Sequence, residues 1–122
     1  MSTAGDPAGA AGTAGGLVAG QVITVFRSRR RAGTEAEYAA LAGQMATAAR
    51  ATPGFVDFKT FDADDGEHVT VVTFASPEAH RAWRDDPRHR QAQQRGRDEL
   101  YLEYSIQVGT CEHAASWSAP RD

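Results

Sequence analysis

Lysine and cysteine are almost missing from this 122-residue chain. Lys59 is the only lysine among thirteen basic residues, and Cys111 is the only cysteine. A single cysteine excludes an intrachain disulfide, which fits a reducing compartment, so we expect a cytoplasmic protein. The formal net charge of −3 argues against a nucleic-acid or anionic-membrane surface, because both need a basic excess.

Long hydrophobic runs are missing as well. Residues 1–19 are rich in alanine and glycine, and Asp6 and Pro7 interrupt any apolar stretch. We therefore expect neither a signal peptide nor a membrane span there, but a flexible tail. The length fits one domain, which we place at residues 20–113, followed by a polar C-terminal tail over 114–122.

Segments rich in β-branched and aromatic residues predict four strands, at residues 21–29, 54–63, 67–75 and 100–112. The second and third strands are separated by the sequence DADDG, which is typical of a turn. These two strands are therefore expected to form a β-hairpin.

Helix signals fill the remaining intervals. Thr34 and Glu37 predict a capping box at the start of the first helix, and Pro53 marks its end. Ser-Pro at 76–77 and Asp-Pro at 86–87 predict two consecutive helix starts. The resulting order is β-α-β-β-α-β with a split second helix, which predicts an α+β, ferredoxin-like fold.

Hydrophobic residues occupy both alternating positions of the predicted strands. In the first strand, Val22 and Phe26 share one face while Ile23 and Val25 share the other. Two helices can cover only one face, and soluble monomers rarely expose a large apolar patch. We therefore predict a homodimer that packs sheet on sheet about a two-fold axis. The alternative is that the strand ends simply carry spare hydrophobic residues.

Several motifs in order resemble one known family. They are ITVFRSR, TPGFVDF, SPEAHRAW, a following His89, the pair Gly96-Arg97 and LYLEYSIQV. From about residue 21 to 113 the chain resembles the antibiotic biosynthesis monooxygenase family of dimeric α+β barrels. The resemblance implies a homodimer. Members of that family include cofactor-free monooxygenases that act on polyketide phenols and anthrones, haem-degrading oxygenases, and small proteins with no assigned reaction. The resemblance therefore implies that this chain belongs to one of these three groups.

Trp83 and His89 are the leading site candidates. Trp83 follows Ala79 by four residues and faces inward as core, while the resemblance implies that it lines a cavity. His89 forms an i, i+4, i+8 row with Gln93 and Arg97, which is either a solvated face or one side of a site. The positive end of the helix would keep His89 neutral and able to act as a base.

Arg97 and Tyr104 complete the candidate set. Gly96 would allow its helix to approach the sheet closely. Arg97 could then hold a phenolate, carboxylate or haem propionate, or it could pair with nearby acids. Tyr104 could present its hydroxyl to a ligand, although core packing is the simpler alternative.

The other histidines, His68, His80 and His113, are expected at the surface. Cys111 and His113 do not have the spacing of a structural zinc site, and no second cysteine exists to complete one. We therefore predict no metal site.

The leading functional hypothesis is a monooxygenase that needs no cofactor and oxidises a small, electron-rich aromatic or polyketide-type substrate with O₂. His89 would be the base, Arg97 the positive partner and Trp83 the aromatic wall, with Tyr104 and Gln93 binding substrate. No nucleic acid or membrane is expected as a partner.

Two alternatives remain open. In the first, haem is bound with His89 as axial ligand and degraded, and Arg97 faces a propionate. The ligand histidine of haem-degrading members falls about one helical turn later, near Gln93, which counts against this hypothesis. In the second, the protein is a non-catalytic dimer that binds a small ligand.

Overall fold

A computed structural model describes residues 16–121, so most of the tail predicted over residues 1–19 lies outside the described part. The elements follow the predicted order. They are β1 (Val22–Arg30), α1 (Glu35–Ala51), β2 (Phe55–Asp62), β3 (His68–Phe74), α2 (Pro77–Arg84), α3 (Pro87–Arg95), a π-helical turn (Gly96–Leu100) and β4 (Tyr101–Thr110).

The four strands form one antiparallel sheet in the order β2-β3-β1-β4. The hairpin between β2 and β3 is confirmed, with Gly66 in its turn at a φ of 90°. The ferredoxin-like α+β fold predicted from the element order is thereby confirmed. β4 lies at an edge of the sheet, next to the central strand β1.

The helices pack onto one face of the sheet. Val72 and Phe74 of β3 form a core cluster with Ala49 of α1 and with Ala79 and Trp83 of α2. Phe74 and Val72 are 0% and 2% exposed, so the β3 side of this cluster is almost completely removed from water. Burial of such side chains contributes about 25 cal/mol per Å² of apolar surface, which makes this cluster the main anchor of α2.

Two of the three predicted helix caps form. The Ser76 hydroxyl accepts a hydrogen bond from the Ala79 N–H, and the Asp86 carboxylate accepts one from the Arg88 N–H. The capping box predicted for Thr34 was wrong. The Thr34 hydroxyl instead donates to the Arg31 carbonyl at 2.6 Å, so it closes the turn after β1 rather than the first turn of α1.

The segment between α3 and β4 is a π-helical turn. The N–H of Tyr101 donates to the carbonyl of Gly96, five residues earlier. A Cβ on Gly96 would collide with the Tyr101 ring, so the glycine does permit the close approach that its sequence context suggested. A π turn contains an extra residue per turn, and side chains beyond it are rotated relative to a continuous α-helix.

The opposite face of the sheet carries an apolar patch, which we call the open face. It consists of four half-buried residues, Ile23, Val25, Val69 and Val71, and of Phe61, which pairs with Val69 and is 49% exposed. Ion pairs lie at its rim, with Arg27 2.8 Å from Glu67 and Arg29 2.7 Å from Asp65. Within residues 16–121, no helix is both long and apolar enough to cross a membrane.

Candidate functional site

A cavity of about 260 Å³ lies between the helices and the sheet. Threonines and aliphatic residues of the strands form its floor, and side chains from α1, α2 and α3 form its walls. Its aromatic lining comes from every layer of the fold: Phe26, Tyr38, Phe58, Trp83 and Tyr101. A concave, mostly apolar space with a few polar groups is the usual form of a small-molecule site.

Trp83 belongs both to the core and to the cavity. It lies one helical turn after Ala79, which directs both residues inward, and it is 5% exposed. Its indole packs against Phe74 at 5.3 Å between ring centroids and also contacts the cavity. The two interpretations drawn from the sequence are therefore both satisfied by one position.

His89 lies in the first turn of α3, directly after the Asp86 cap, and lines the same cavity. Its ring is 4.1 Å from the Trp83 ring, and it is 3% exposed. Burial lowers the pKa of His89 from its usual 6.5, although a backbone contact to the Arg84 carbonyl opposes this shift. His89 is thus kept in the neutral form, which can accept a proton.

The Nδ1 atom of His89 lies 3.4 Å from the carbonyl oxygen of Arg84. A carbonyl can only accept, so this contact favours the tautomer with the proton on Nδ1. Nε2 then keeps its lone pair. Arg84 also lines the cavity, and its guanidinium is paired with Asp85 at 3.1 Å.

The structure brings His89, Trp83 and Gln93 together at the cavity, but it places Arg97 outside the lining. The i, i+8 relationship between His89 and Arg97 assumed a continuous α-helix, and the π turn that begins at Gly96 breaks it. Arg97 is exposed and donates to the Gln94 side chain at 2.7 Å. The alternative drawn from the sequence was an ion pair with a nearby acid, but the hydrogen-bond partners of Arg97 are the neutral side chains of Gln94 and Tyr104.

Tyr104 also lies one layer behind the cavity. Its ring packs against Phe26 at 5.2 Å and Tyr101 at 5.6 Å, two residues that line the space directly. Its hydroxyl accepts a hydrogen bond from Arg97 at 3.1 Å. Arg97 and Tyr104 therefore support the wall that Phe26 and Tyr101 form.

Two histidines expected at the surface are not there. His80 is 9% exposed and lines the cavity, with its ring 6.3 Å from Trp83, because its place in the first turn of α2 directs it at the sheet. His68 keeps a side chain only 12% exposed, bonded to Asp62 at 2.7 Å and packed against Tyr38. His113 is exposed, as predicted.

Tyr38, Tyr101 and Thr24 are site residues that sequence reasoning missed. Burial raises the pKa of Tyr38 and of Tyr101, so both phenols stay protonated and serve as neutral polar groups. Tyr38 sits on the inward face of α1, and Thr24 shares the face of β1 that points to the helices. Helical spacing and strand parity were the signals available for them.

Residues 16–121 contain no cluster of three or more histidine, cysteine, aspartate or glutamate side chains arranged to hold a metal ion. Cys111 contacts the backbone carbonyl of His113 at 3.2 Å rather than its ring.

Comparison with known proteins identifies the family. Residues 21–95 match the family model described as antibiotic biosynthesis monooxygenase. This match covers more than half of the chain and includes Trp83 and His89. The chain therefore belongs to the antibiotic biosynthesis monooxygenase family.

Relatives of this chain include proteins with and without a described activity. It is 31% identical over 71 residues to the uncharacterized protein YqjZ of Bacillus subtilis, covering 58% of this chain and 62% of that protein. Rv0793 of Mycobacterium tuberculosis has a similar structure, with a TM-score of 0.65, 22% identity, and coverage of 84% of this chain and 96% of that one.

SnoaB of Streptomyces nogalater, described as a cofactor-independent oxygenase, has a similar structure as well. Its TM-score is 0.65 at 20% identity, and the match covers 84% of this chain and 100% of SnoaB. At this level of identity the similarity to both solved structures establishes a shared fold.

Proposed function

We propose that this protein is a monooxygenase that oxidises a small, electron-rich aromatic substrate with O₂ and needs no cofactor. The observation that carries the proposal is the buried imidazole of His89, which lies against Trp83 and lines an apolar cavity. Family membership and the described activity of SnoaB support it.

The substrate binds among the aromatic rings of the cavity. Trp83 and Tyr101 are each at most 7% exposed, so bound aromatic surface would be removed from water against rigid walls. Gln93 supplies a polar contact from α3, because its side chain lines the cavity. A volume of about 260 Å³ suits a small aromatic ligand rather than a large one.

His89 removes a proton from the bound substrate. A base must be unprotonated at neutral pH, and burial of His89 lowers its pKa from 6.5 in the required direction. The Nδ1 contact to Arg84 leaves Nε2 as the acceptor atom. The product of this step is a resonance-stabilised carbanion or phenolate.

This anion reduces O₂ directly, so the substrate itself is the reductant. For an anthrone, a CH₂ group becomes a carbonyl, one oxygen atom of O₂ enters the product and the other leaves as water. The proton taken by His89 returns to that water. A substrate that fills the mostly apolar cavity displaces water from around the reactive anion.

Arg97 is a positioning residue in this mechanism. Its guanidinium holds the Tyr104 hydroxyl, and the Tyr104 ring supports Phe26 and Tyr101. Arg84 is the arginine that belongs to the lining, and its guanidinium is paired with Asp85. The haem hypothesis needed Arg97 beside a propionate in the same space as His89, and the two residues do not meet there.

We further propose that the protein acts as a cytoplasmic homodimer, with the open face of each sheet against the other. The apolar residues of that face are half-buried or, for Phe61, exposed, and they lie beside the ion pairs of Arg27 and Arg29. Contact between two such faces would bury the apolar patch and keep the rim charged, as in most stable interfaces.

The test is aerobic oxidation of anthrone by metal-stripped protein. The reaction is monitored by O₂ uptake and by the absorbance of the anthraquinone product. Wild type is expected to oxidise anthrone above the spontaneous rate. His89→Gln is expected to lose about 10²- to 10⁴-fold in rate. His113→Gln, a change at an exposed histidine, is the matched control and is expected to retain full activity.

Other outcomes discriminate against the proposal. Full activity in His89→Gln would remove the assignment of the base. A Soret band on titration with haem, lost in His89→Gln, would favour haem binding instead. If the protein forms no product from phenols and anthrones and gives no haem spectrum, the result would indicate a non-catalytic ligand-binding dimer.

A further inference from the structure

The cavity contains a second histidine, His80, that the reaction proposed above does not use. It lines the same space as His89 and is 9% exposed. The two histidines come from different helices, since His80 lies in the first turn of α2 and His89 in the first turn of α3. Their rings lie 6.3 Å and 4.1 Å from the Trp83 ring, so the indole is next to both imidazoles.

Packing alone does not explain a histidine at position 80. Its ring lies among aromatic neighbours, 6.4 Å from the Phe74 ring and 6.3 Å from the Trp83 ring. Within residues 16–121, no hydrogen bond satisfies this ring. An apolar side chain would fill the same place without taking a polar group out of water. The imidazole therefore serves something other than the core.

His80 and His89 are the two groups of the described lining that can accept a proton at neutral pH. Burial is the main cause that lowers the pKa of His80 below its usual 6.5, so its imidazole is neutral. The other ionisable residues of that lining are Tyr38, Arg84 and Tyr101. Burial keeps the two phenols protonated, and a guanidinium does not lose its proton in proteins.

Oxidation of a CH₂ group to a carbonyl removes two protons from one carbon atom. His89 takes the first proton, and the anion combines with O₂ to form a peroxide. The distal peroxide oxygen takes that proton back from His89, which gives a hydroperoxide with one hydrogen left on the reacting carbon. This hydrogen points in a different direction from the one that has left. A base at a second position in the cavity therefore suits its removal.

We propose that His80 is a second catalytic base, which removes the remaining proton of the hydroperoxide. This inference rests on the proposed function and deepens it, because it divides two proton transfers between two histidines. As His80 takes the proton, the electron pair of the C–H bond forms the C=O bond, and the O–O bond breaks. The distal oxygen leaves as hydroxide and takes the proton from His80, so water is released and His80 is neutral again.

The experiment starts from a hydroperoxide, so that it isolates this second step. Fluorene hydroperoxide, a secondary aryl hydroperoxide, is mixed with the full-length protein under argon, and the absorbance of fluorenone is followed. Its conversion to fluorenone and water needs no O₂. Wild type is expected to accelerate this elimination, and His80→Gln is expected to lose about 10²-fold in rate. His113→Gln, at an exposed histidine, is the matched control and is expected to keep the wild-type rate.

A second variant guards against loss of the fold. His80→Leu replaces the imidazole with an apolar side chain beside Phe74 and Trp83, and no hydrogen bond within residues 16–121 is lost. It is therefore expected to melt at least as high as wild type, and to lose the elimination by about the same 10²-fold as His80→Gln.

Comparison with the first step distinguishes a base from a residue that only supports the cavity. Deuterium exchange at the CH₂ carbon of anthrone under argon reports proton removal by His89. In His80→Gln, the elimination is expected to fall at least about 30-fold more than this exchange, because only the second step needs His80. In air, the same variant is expected to consume O₂ faster than it forms anthraquinone, and mass spectrometry should detect anthrone hydroperoxide.

Wild-type elimination in a folded His80→Gln or His80→Leu variant would overturn the proposal. Equal losses of exchange and elimination would do so too, since they would assign His80 a structural role. Absence of any acceleration by wild type would have the same consequence. The proposed oxygenase function fails separately: a protein that converts the hydroperoxide through His80 but consumes no O₂ with anthrone keeps the second base and loses the oxygenase.

Discussion

The imidazole of His89 lies against the indole of Trp83, with ring centroids 4.1 Å apart and ring planes inclined by 33°. The two residues belong to different helices, α2 and α3, and the junction between them is fixed by the Asp86 cap. Their contact therefore depends on the break in the second helical segment. The break is what turns two separate side chains into one wall of the cavity.

The first prediction concerns stability at acidic pH. Burial lowers the pKa of His89 in the folded protein, so the unfolded chain takes up this proton first as the pH falls through about 6.5. The stabilisation is present above that pH and is lost below it. The free energy of unfolding, from urea titrations at pH 5.0 to 7.5, is expected to fall less steeply in His89→Gln than in wild type.

His80 is the comparison for that experiment, because burial and the charges of Arg84 and Arg81 lower its pKa too. His80→Gln should reduce the pH dependence in the same direction. Identical slopes in wild type and His89→Gln would show that His89 is not buried as described.

The second prediction concerns the π turn. A methyl group on Gly96 would collide with the Tyr101 ring, so Gly96→Ala is expected to destabilise the protein by about 1–3 kcal/mol. Gly43 in α1 has open space around its missing Cβ. Gly43→Ala is the matched control and is expected to raise the free energy of unfolding by about 0.5–1 kcal/mol. Equal effects in chemical denaturation would contradict the close contact at Gly96.

The sequence determined the fold more readily than the site. Ser76 and Asp86 each precede a proline, and this local chemistry predicts both helix starts without reference to the rest of the chain. The π turn at Gly96 has no comparable local signal, because it arises from packing of Gly96 on Tyr101. Extending the α-helical spacing through it misplaced Arg97.

The histidines show the same limit. His80 and His113 each have a charged residue as a direct neighbour in the sequence, Arg81 and Glu112. Their burial differs because α2 packs His80 against the sheet, while His113 lies beyond the last strand.

Trp83 and His89 could be selected because an indole and an imidazole are unusual in a segment that is otherwise mostly polar. For Thr24 the sequence offered only strand parity, which gives its face of β1 but not its place in a cavity lining.

The third prediction separates positioning from direct contact. Arg97→Ala removes the hydrogen bond to Tyr104 but leaves the cavity lining in place. Steady-state oxidation of anthrone is expected to show a KM raised by roughly 2- to 10-fold with kcat nearly unchanged, because one side-chain hydrogen bond contributes about 0.5–1.5 kcal/mol. A loss of kcat above 100-fold would place Arg97 in contact with the reacting atoms.

The fourth prediction addresses assembly. Val71 lies on the open face, and Val71→Asp would place a charge inside the proposed interface. Sedimentation velocity is expected to show a dimer for wild type and a folded monomer for Val71→Asp. Gln91→Glu on the exposed side of α3 is the control and should remain dimeric. A wild-type protein that is monomeric and well folded when dilute would disprove the interface.

Proton transfer to His89 inside the cavity is tested most directly by hydrogen exchange. Anthrone is incubated with protein in D₂O under argon, and deuterium at its acidic CH₂ carbon is measured by mass spectrometry. Wild type should accelerate the exchange. In His89→Gln the exchange rate should be lower by at least about 100-fold and approach the rate without protein. Equal exchange by wild type and His89→Gln would contradict the assignment of His89 as the base.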